Sequence, residues 1–578
     1  MFTQQIVAQP DVARVAHKPV GITKGPGETN HQYTFVSRDD AQVLKNGEYV
    51  YYELADPDRT LLPDGSVLQR RVLGRIMKRV PLQLYPDTFL GEPEIPPAQV
   101  AAMVGYDSVT NELFELHVSI MGYHDPASSS FINPWIPPQS GKPIFLADHV
   151  MLAEVLSRKR TAQPGSATIG SLLTRQPDAV PVVLSVKDVV STHMAIIAST
   201  GAGKSYLASV LIEELMQPHN KACVLIVDPH GEYSTLEQIA NDERFSAPGE
   251  GRYRGYSASV RVYKPEEVKV RLSSLNMADM RQLLPEMTEK QQYLLSRALR
   301  KLNDSREKLW GVSDLKLAIK NVAHQKGDDE DDGSDDSSTV RALTWRIEQR
   351  FEHSFTFDDT QHLDLKEIFE PGQCTVLQLS EIDERDQQVI VATLLRRLYD
   401  ARMKTERGQV SSGEKFLPHP VFVLVEEAHH FAPGGADVVS TAILKQILAE
   451  GRKFGIGMGL ISQRPGKLDA DVLSQCLTQC IMRIVNEIDQ KSVASAIEGV
   501  GRDLLDNLPA LSKGQVIVAG AAVNTPVICR VRQRITPHGG ESKDAPDVWQ
   551  QHFTLASEES SRRANSTLNG NQSFNILR

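Results

Sequence analysis

The stretch AIIASTGAGKSYLASVL, residues 195–211, decides the fold of this chain. Its small residues allow backbone N–H groups to curl around anionic oxygens, while a lysine reaches the β- and γ-phosphates and a hydroxyl holds Mg²⁺. An apolar strand precedes the loop, and the helix that follows directs its N-terminus at the phosphates. The pattern predicts a nucleotide-binding loop whose contacts come from Ser199, Thr200, Gly201, Ala202, Gly203, Lys204, Ser205 and Tyr206.

The loop departs from the strict pattern G-x-x-x-x-G-K-[ST] at one position. Ala198 stands where the first glycine is usual. This position marks the exit from the strand, and alanine is the smallest substitute for glycine. We expect the substitution to be tolerated if the φ angle of Ala198 is negative.

A second signal is VFVLVEEAHHF, residues 421–431, in which five apolar residues end in two carboxylates. In an open α/β sheet, ligands bind at the carboxyl ends of the strands. Glu426 is therefore predicted to hold the Mg²⁺ shell, although Asp is usual there, and Glu427 to polarise the water that attacks a phosphoanhydride. Taken alone, the stretch also fits a strand that runs into an acidic helix cap.

A third strand lies in GRKFGIGMGLISQRPGKLD, residues 451–469. Gln463 follows it, in a position to sense the terminal phosphate and orient water; the alternative is a plain surface amide. Arg452 precedes the strand. It would either reach across a subunit interface to stabilise transition-state charge or pair locally with Glu450.

The strand of CVLIVDPHGEY, residues 223–233, brings two more carboxylates toward the same edge of the sheet. Asp228 and Glu232 would support Mg²⁺ or the phosphate loop. Pro229 and Gly231 also fit a sharp turn with no further role.

Short strands separated by turns predict a small β-barrel early in the chain, and alternating strands and helices beyond about residue 180 predict a parallel-rich α/β sheet. Seven acidic residues between Asp328 and Asp336 cannot pack together, which predicts a mobile loop within a helical insertion. The predicted layout is a flexible lead-in at 1–30, a barrel at 31–175, a nucleotide-binding core at 176–270 and 351–537, the insertion at 271–350 and a polar tail at 538–578.

The composition limits the class of protein. The net charge of −10 over 578 residues argues against a surface coated with nucleic-acid contacts, but not against a local basic channel. The most cationic stretch, residues 252–271, is either such a contact or a solvated hairpin. Five cysteines without a disulfide pattern suit a reducing compartment, and no apolar run approaches the ~20 residues of a membrane span. We expect a cytoplasmic protein that does not enter a membrane.

The motifs HMAIIASTGAGKS, IVDPHGEY, VLVEEAHHF and EGRKFGIGMGLISQRPGKLD, in this order, resemble those of the HerA-type ATPases in the HerA–FtsK superfamily. The β-rich N-terminal region is similar to the small HAS-type barrel that precedes the motor in that family. The resemblance implies an α/β fold with a RecA-like P-loop NTPase motor, a small N-terminal barrel and an inserted helical subdomain.

The same resemblance implies a homo-hexameric ring that hydrolyses ATP with Mg²⁺ and translocates or unwinds double-stranded DNA. By carry-over, Lys204 and Ser205 match the phosphate and Mg²⁺ positions, Glu427 the catalytic glutamate, Gln463 the sensor and Arg452 a candidate finger acting in trans. Such proteins commonly work with a separate effector. Archaeal members pair with the nuclease NurA in DNA end processing, and bacterial relatives pair with nucleases or sirtuin-type NAD-consuming proteins in antiviral defence.

Two other functions fit the motifs. One is an ATPase scaffold that assembles and regulates an effector enzyme without processive translocation. The other is a secretion or conjugation ATPase, which normally brings a membrane segment or a secretion partner.

Overall fold

The computed structural model describes residues 18–25, 29–56, 60, 64–82, 113–125, 130–249, 255–304, 309–324, 336–496, 501–537, 545–546, 549–550 and 552–554. The predicted acidic loop lies almost entirely outside this range, as do most of the predicted lead-in and tail. The chain forms two compact units, Met1–Thr536 and Pro537–Arg578. In the second unit, the Thr554 hydroxyl donates to the Gln550 carbonyl at 2.9 Å.

Six antiparallel strands close into a barrel, as the sequence predicted, and a short seventh strand pairs with one of the six. The inward side chains alternate with outward ones: in QYTFVS, Tyr33 and Phe35 are fully buried. The ring runs β2-β1-β7-β3-β4-β5 and returns to β2, with β6 added on β5. The strands are β1 Pro19–Thr23, β2 Gln32–Ser37, β3 Tyr49–Ala55, β4 Gln69–Pro81, β5 Phe114–Asp125, β6 Ser130–Ile132 and β7 Pro143–Leu146.

Two boundaries differ from the predicted layout. Strand β1 lies inside the predicted lead-in, where it pairs with both β2 and β7 and so removes two exposed strand edges. Strand β8, Ser166–Leu172, lies inside the predicted barrel range but pairs with β9, Pro181–Ser185, and β22, Val527–Val531, in a second sheet. The barrel therefore begins earlier and ends earlier than 31–175.

The second sheet has eleven strands in the order β14-β17-β11-β18-β19-β10-β20-β21-β22-β8-β9. The first seven are mutually parallel, and the remaining four continue the sheet antiparallel. The strands not yet given are β10 Met194–Ile197, β11 Val224–Asp228, β14 Ser259–Tyr263, β17 Gln373–Gln378, β18 Val421–Val425, β19 Ile456–Ser462, β20 Thr478–Ile481 and β21 Gln515–Gly520. Two small ladders pair β12 Ser246–Ala247 with β13 Tyr256–Ser257, and β15 Val270–Arg271 with β16 Phe357–Asp358.

Helices cover both faces of the parallel strands, which is why those strands read as continuous apolar runs. In β11, Leu225 and Val227 belong to one core, and Val224 and Ile226 to the core on the opposite face. Four helices, α4 to α7, form the predicted helical insertion. The described helices are α1 His149–Val155, α2 Val186–Thr192, α3 Lys204–Leu215, α4 Met277–Leu283, α5 Glu289–Asn303, α6 Val312–His324, α7 Asp336–Phe351, α8 Leu365–Ile368, α9 Glu384–Glu406, α10 Ala428–Phe431, α11 Val439–Glu450, α12 Ala470–Ser474, α13 Glu487–Ala496 and α14 Arg502–Leu505.

A buried ion pair joins the barrel to the large sheet. Arg175, in the turn between β8 and β9, donates to Glu48 at 2.7 Å and to the Ala147 carbonyl at 2.8 Å. Both side chains of the pair are only 2% exposed. Burial raises the pKa of Glu48, and Arg175 opposes that rise. Because the pair is desolvated, each partner depends on the other.

Across the described ranges, no helix combines the length and the apolar character that crossing a bilayer requires.

Candidate active site

The phosphate-loop motif lies between β10 and α3, at the carboxyl edge of the parallel strands. Gly201 and Gly203 have φ angles of 77° and 106°, in the left-handed region that glycine adopts without strain. Helix α3 begins directly after Gly203. The φ angle of Ala198 is not positive, and its N–H donates to the Ser462 carbonyl at 3.3 Å, so Ala198 extends the strand. The condition on the φ angle of Ala198 is therefore met.

Lys204 lies against both carboxylates of the acidic strand. Its ammonium donates to Glu426 Oε1 and lies 3.0 Å from Glu427 Oε1. Burial by itself lowers the pKa of Lys204, but the two carboxylates outweigh it and raise that pKa above its usual value. Burial raises the pKa of Glu426 to about 7, against the effect of Lys204. Here the carboxylate oxygens stand in for the phosphate oxygens that this lysine is suited to bind.

The turn after β11 supplies a third carboxylate. Asp228 is fully buried and accepts hydrogen bonds from the backbone N–H groups of residues 230–233, which fixes the turn. Burial raises the pKa of Asp228, while those N–H groups lower it. The fixed turn places Glu232 so that it accepts the hydroxyl hydrogen of Ser205. Asp228 thus builds the turn, and Glu232 contacts the hydroxyl predicted to hold Mg²⁺.

Glu427 follows β18 with φ 50° and ψ 46°, a left-handed conformation that is uncommon for a residue with a side chain. Strained backbone of this kind clusters at functional sites. The turn directs Glu426 and Glu427 into the same pocket as Lys204, although both carboxylates are almost fully buried. Tyr233 donates its hydroxyl to Glu426 Oε2 at 3.1 Å. Glu427 occupies the N-cap position of α10, as the alternative of a helix cap has it, but its side chain makes no capping hydrogen bond and contacts Lys204 instead.

Gln463 lies beside the phosphate loop, because β19 and β10 are parallel neighbours. Its Oε1 accepts the hydroxyl hydrogen of Thr200 at 2.7 Å. The side chain is therefore in contact with the loop rather than being an isolated surface amide.

Arg452 is not brought into this site. It is exposed and precedes β19, whereas the site lies beyond the carboxyl end of that strand. A parallel strand of seven residues separates the two by about 20 Å. Local pairing with Glu450 is not observed either, since Glu450 accepts the hydroxyl hydrogen of Tyr399 at 2.6 Å.

Tyr206, on the first turn of α3, contacts the C-terminal segment of the first compact unit. Its hydroxyl accepts from the Arg534 backbone N–H at 2.8 Å, and the Arg534 guanidinium lies 5.8 Å from its ring centroid. Glu213, further along α3, accepts from the backbone N–H of Thr536 at 2.8 Å. The helix of the phosphate loop is thus held by residues about 320 positions away.

The arrangement fits a nucleotide with Mg²⁺. The space beside the loop is open at Gly201, where a Cβ would meet no described atom within 4 Å. The backbone N–H groups of the loop and the N-terminus of α3 are the groups suited to bind phosphate there. Lys204 supplies the cation for phosphate. The oxygen-rich set of Ser205, Glu426 and Glu232 is of the kind that Mg²⁺ prefers, directly or through water.

Sequence reasoning missed two residues of the site. Tyr233 was not singled out, although it ends the same motif as Glu232. His429 and His430 lack the HExxH spacing of a zinc site, so the sequence favours a polar loop beside the site for both, yet His429 is buried and its Nδ1 lies 3.3 Å from Glu427 Oε2. Within the described ranges, no three or more His, Cys, Asp and Glu side chains are grouped so that they alone could hold a metal ion. The signal for His429 was its place two residues after Glu427.

The described part of the basic stretch lies on the edge strand β14 and the segment that follows. Arg261 pairs with Glu367 at 3.0 Å, Lys269 donates to the Phe355 carbonyl, and Arg271 donates to the Thr360 carbonyl at 2.9 Å. These cations are engaged in local contacts. Arg252 and Arg254 lie outside the described residues.

Several known proteins are similar to this chain over much of its length. The family model described as "Helicase HerA, central domain" matches residues 167–398, which begin at β8. The DNA double-strand break repair helicase HerA of Pyrococcus furiosus is 30% identical over 66% of this chain and 73% of its own length. A probable DNA double-strand break repair helicase HerA of Methanocaldococcus jannaschii is 30% identical over 67% and 80%.

Among solved structures, VirB4 of Thermoanaerobacter pseudethanolicus matches with a TM-score of 0.45 and 13% identity, covering 63% of this chain and 96% of its own. The plasmid coupling protein TrwB in complex with ADP and Mg²⁺ matches with a TM-score of 0.40 and 13% identity, covering 68% and 94%. Because these two HerA relatives are 30% identical to the chain and are matched over 73% and 80% of their own length, the chain belongs to the HerA helicase family.

Proposed function

We propose that this chain is an ATP-hydrolysing motor that translocates or unwinds double-stranded DNA. One observation carries the proposal: Lys204, Glu427 and Gln463, from three separate motifs, meet at the carboxyl ends of adjacent parallel strands. Phosphoryl transfer requires little covalent chemistry from the protein, so such positioning of charge is the main catalytic demand. The HerA relatives are named as DNA double-strand break repair helicases, which supports DNA as the polymer on which the motor acts.

Each residue then has a distinct part in hydrolysis. Lys204 turns from the carboxylates to the β- and γ-phosphates. Ser205 and Glu426 would hold Mg²⁺, with Glu232 orienting the Ser205 hydroxyl, and the bound ion would neutralise charge on the phosphate oxygens. Glu427 accepts a hydrogen bond from the attacking water and polarises it. Gln463, already linked to Thr200, orients that water against the terminal phosphate.

In a ring of six copies, Arg452 would be able to act on the nucleotide of a neighbouring subunit, which it cannot do in a single chain. Its own nucleotide site is about 20 Å away along the sheet, but an exposed arginine at that edge is available to a neighbouring subunit. We propose that Arg452 contacts the γ-phosphate bound to the adjacent copy, in the manner of an arginine finger.

The motor is further proposed to serve a separate effector, either a nuclease in DNA end processing or an NAD-consuming or nuclease partner in antiviral defence. The insertion α4 to α7 offers exposed apolar side chains for such a partner, among them Tyr293, Leu317 and Trp345. All five cysteines are free and buried, which suits the cytoplasm.

The test of this function is the ATPase rate with and without linear double-stranded DNA. We expect DNA to increase the rate at low salt and the increase to fall as salt is added, because contacts to DNA phosphates weaken steeply with ionic strength. ATP hydrolysis that is indifferent to DNA, together with no DNA binding at low salt, contradicts the motor and supports the scaffold ATPase instead.

The assignment of Glu427 is tested by Glu427→Gln, which keeps the size of the side chain and removes its charge. We expect ATP binding to persist and turnover to fall about 10²–10⁴-fold, the usual contribution of a general base. Single-turnover hydrolysis and the affinity for a fluorescent ATP analogue separate the two effects. Glu384→Gln, at an exposed carboxylate near His430, is the matched control. Substantial residual turnover in Glu427→Gln removes Glu427 from this role.

A further inference from the structure

Two adjacent histidines follow the acidic strand, and the structure gives them different surroundings. The His429 side chain is 6% exposed, and its Nδ1 lies 3.3 Å from Glu427 Oε2 and 3.2 Å from Ser462 Oγ. The His430 side chain is 34% exposed and faces Glu384 at 3.8 Å. Only His429 is enclosed between the acidic strand and the end of β19.

The neighbours of His429 determine which ring nitrogen carries a hydrogen. The Ser462 hydroxyl, which accepts from the Arg464 backbone N–H at 3.1 Å, is able either to donate to Nδ1 or to accept from it, whereas an ionised carboxylate only accepts hydrogen bonds. The Glu427 carboxylate is therefore the neighbour that discriminates between the tautomers. If Nδ1 lacked a hydrogen, two lone pairs would face each other across 3.3 Å. Nδ1–H is therefore the tautomer that this surrounding favours. Burial lowers the pKa of His429 to about 4. The assignment of a hydrogen to Nδ1 does not depend on that pKa, because both ring nitrogens carry a hydrogen in the imidazolium.

The two oxygens of Glu427 have different partners. Oε1 lies 3.0 Å from Lys204, the residue that must leave to reach a phosphate. Oε2 is buried and accepts no hydrogen bond of strict geometry from the described residues. The Nδ1 of His429, at 3.3 Å, is close enough to donate one. After Lys204 turns away, two histidines still lie beside the carboxylate: the half-exposed His230, with Nε2 4.0 Å from Oε1, and the buried His429, which is nearer, at 3.3 Å from Oε2.

Ser462 connects this contact to the sensor. It is the last residue of β19, and Gln463, which follows it, bonds Thr200 of the phosphate loop. The Ser462 carbonyl also accepts from the Ala198 N–H. One buried ring thus links the carboxylate of β18 to the glutamine after β19.

We propose that His429 is a positioning residue: its Nδ1–H holds Glu427 Oε2 and ties that carboxylate to Ser462, so that base and sensor keep their relative placement. The inference rests on the proposed function of ATP hydrolysis at this site. A misplacement of about 1 Å at a reacting centre costs on the order of 10²-fold in rate, so loss of this tie has a kinetic consequence.

The experiment compares His429→Ala, His429→Asn and His429→Gln, with His430→Ala as the matched control. The amide nitrogen of asparagine occupies the place of Nδ1, whereas that of glutamine lies further out, near the place of Nε2. We expect His429→Ala and His429→Gln to lower kcat about tenfold or more at unchanged ATP affinity. His429→Asn is expected to recover most of the wild-type kcat, and His430→Ala to stay within about twofold of it.

The outcomes distinguish the two proposals. If the wild-type chain does not hydrolyse ATP, the proposed function fails. If it does, and His429→Ala turns over normally or His429→Gln matches His429→Asn, only the positioning role fails. Should His429→Ala not fold, as judged by its thermal transition, the difference in kcat between His429→Asn and His429→Gln decides alone.

Discussion

Glu426 makes the stability of the nucleotide-free protein depend on pH. Its pKa is raised from an ordinary 4.5 to about 7 by burial, so the folded carboxyl keeps its proton where the unfolded chain has lost it. The contribution of Glu426 to the free energy of unfolding therefore falls as pH rises from about 4.5 to about 7. Urea unfolding at about pH 5 and about pH 7 should show a smaller decrease for Glu426→Gln than for wild type. Equal pH dependence in both contradicts the shift.

Two positions of the phosphate loop should respond differently to substitution: Ala198 tolerates a change of side chain, whereas Gly201 does not. Ala198→Gly restores the strict pattern but acts on extended backbone, so we expect unchanged nucleotide affinity and a stability loss of about 0.5–1 kcal/mol. Gly201→Ala forces a side chain into the left-handed region at a cost of about 1–2 kcal/mol, which should weaken nucleotide binding. Titration with a fluorescent nucleotide measures the affinity of both variants. A larger loss of affinity in Ala198→Gly than in Gly201→Ala would overturn the interpretation.

Elements with a local signal were predictable from the sequence. The strand, loop and helix around Lys204 follow from small residues and apolar periodicity. Because β10, β18 and β19 are parallel, residues that follow them, such as Glu427 and Gln463, had to meet at one edge.

What escaped prediction depends on pairing between distant parts of the chain. Strand β1 has only five residues and closes the barrel through partners as remote as β7. Strand β8 pairs with β22, and Leu172 lies opposite Cys529, a register that no local pattern records. The burial of His429 likewise depends on where β19 ends. Such long-range choices are tertiary, and local propensity does not specify them.

At the scale of the whole molecule, Glu48 and Arg175 should couple the barrel to the large sheet. Removing one partner, as in Glu48→Ala, leaves a buried charge unpaired, and we expect a loss of about 3–5 kcal/mol. Replacing both with methionine should cost less than either single truncation. Chemical denaturation of the two single variants and the double variant measures this. Additive losses would show that the pair is not coupled.

The run of antiparallel strands from β20 to β9 has a mechanical consequence. Four ladders of hydrogen bonds, spanning about 19 Å, connect the strand before the phosphate loop to β8, which leads into the turn that holds Arg175 against the barrel. Because a load applied to the barrel at this turn is carried by the backbone hydrogen bonds of these ladders, we expect the barrel and the phosphate loop to move together rather than about a single hinge. The strands of the sheet, and not the helices, would therefore transmit force between the barrel and the phosphate loop.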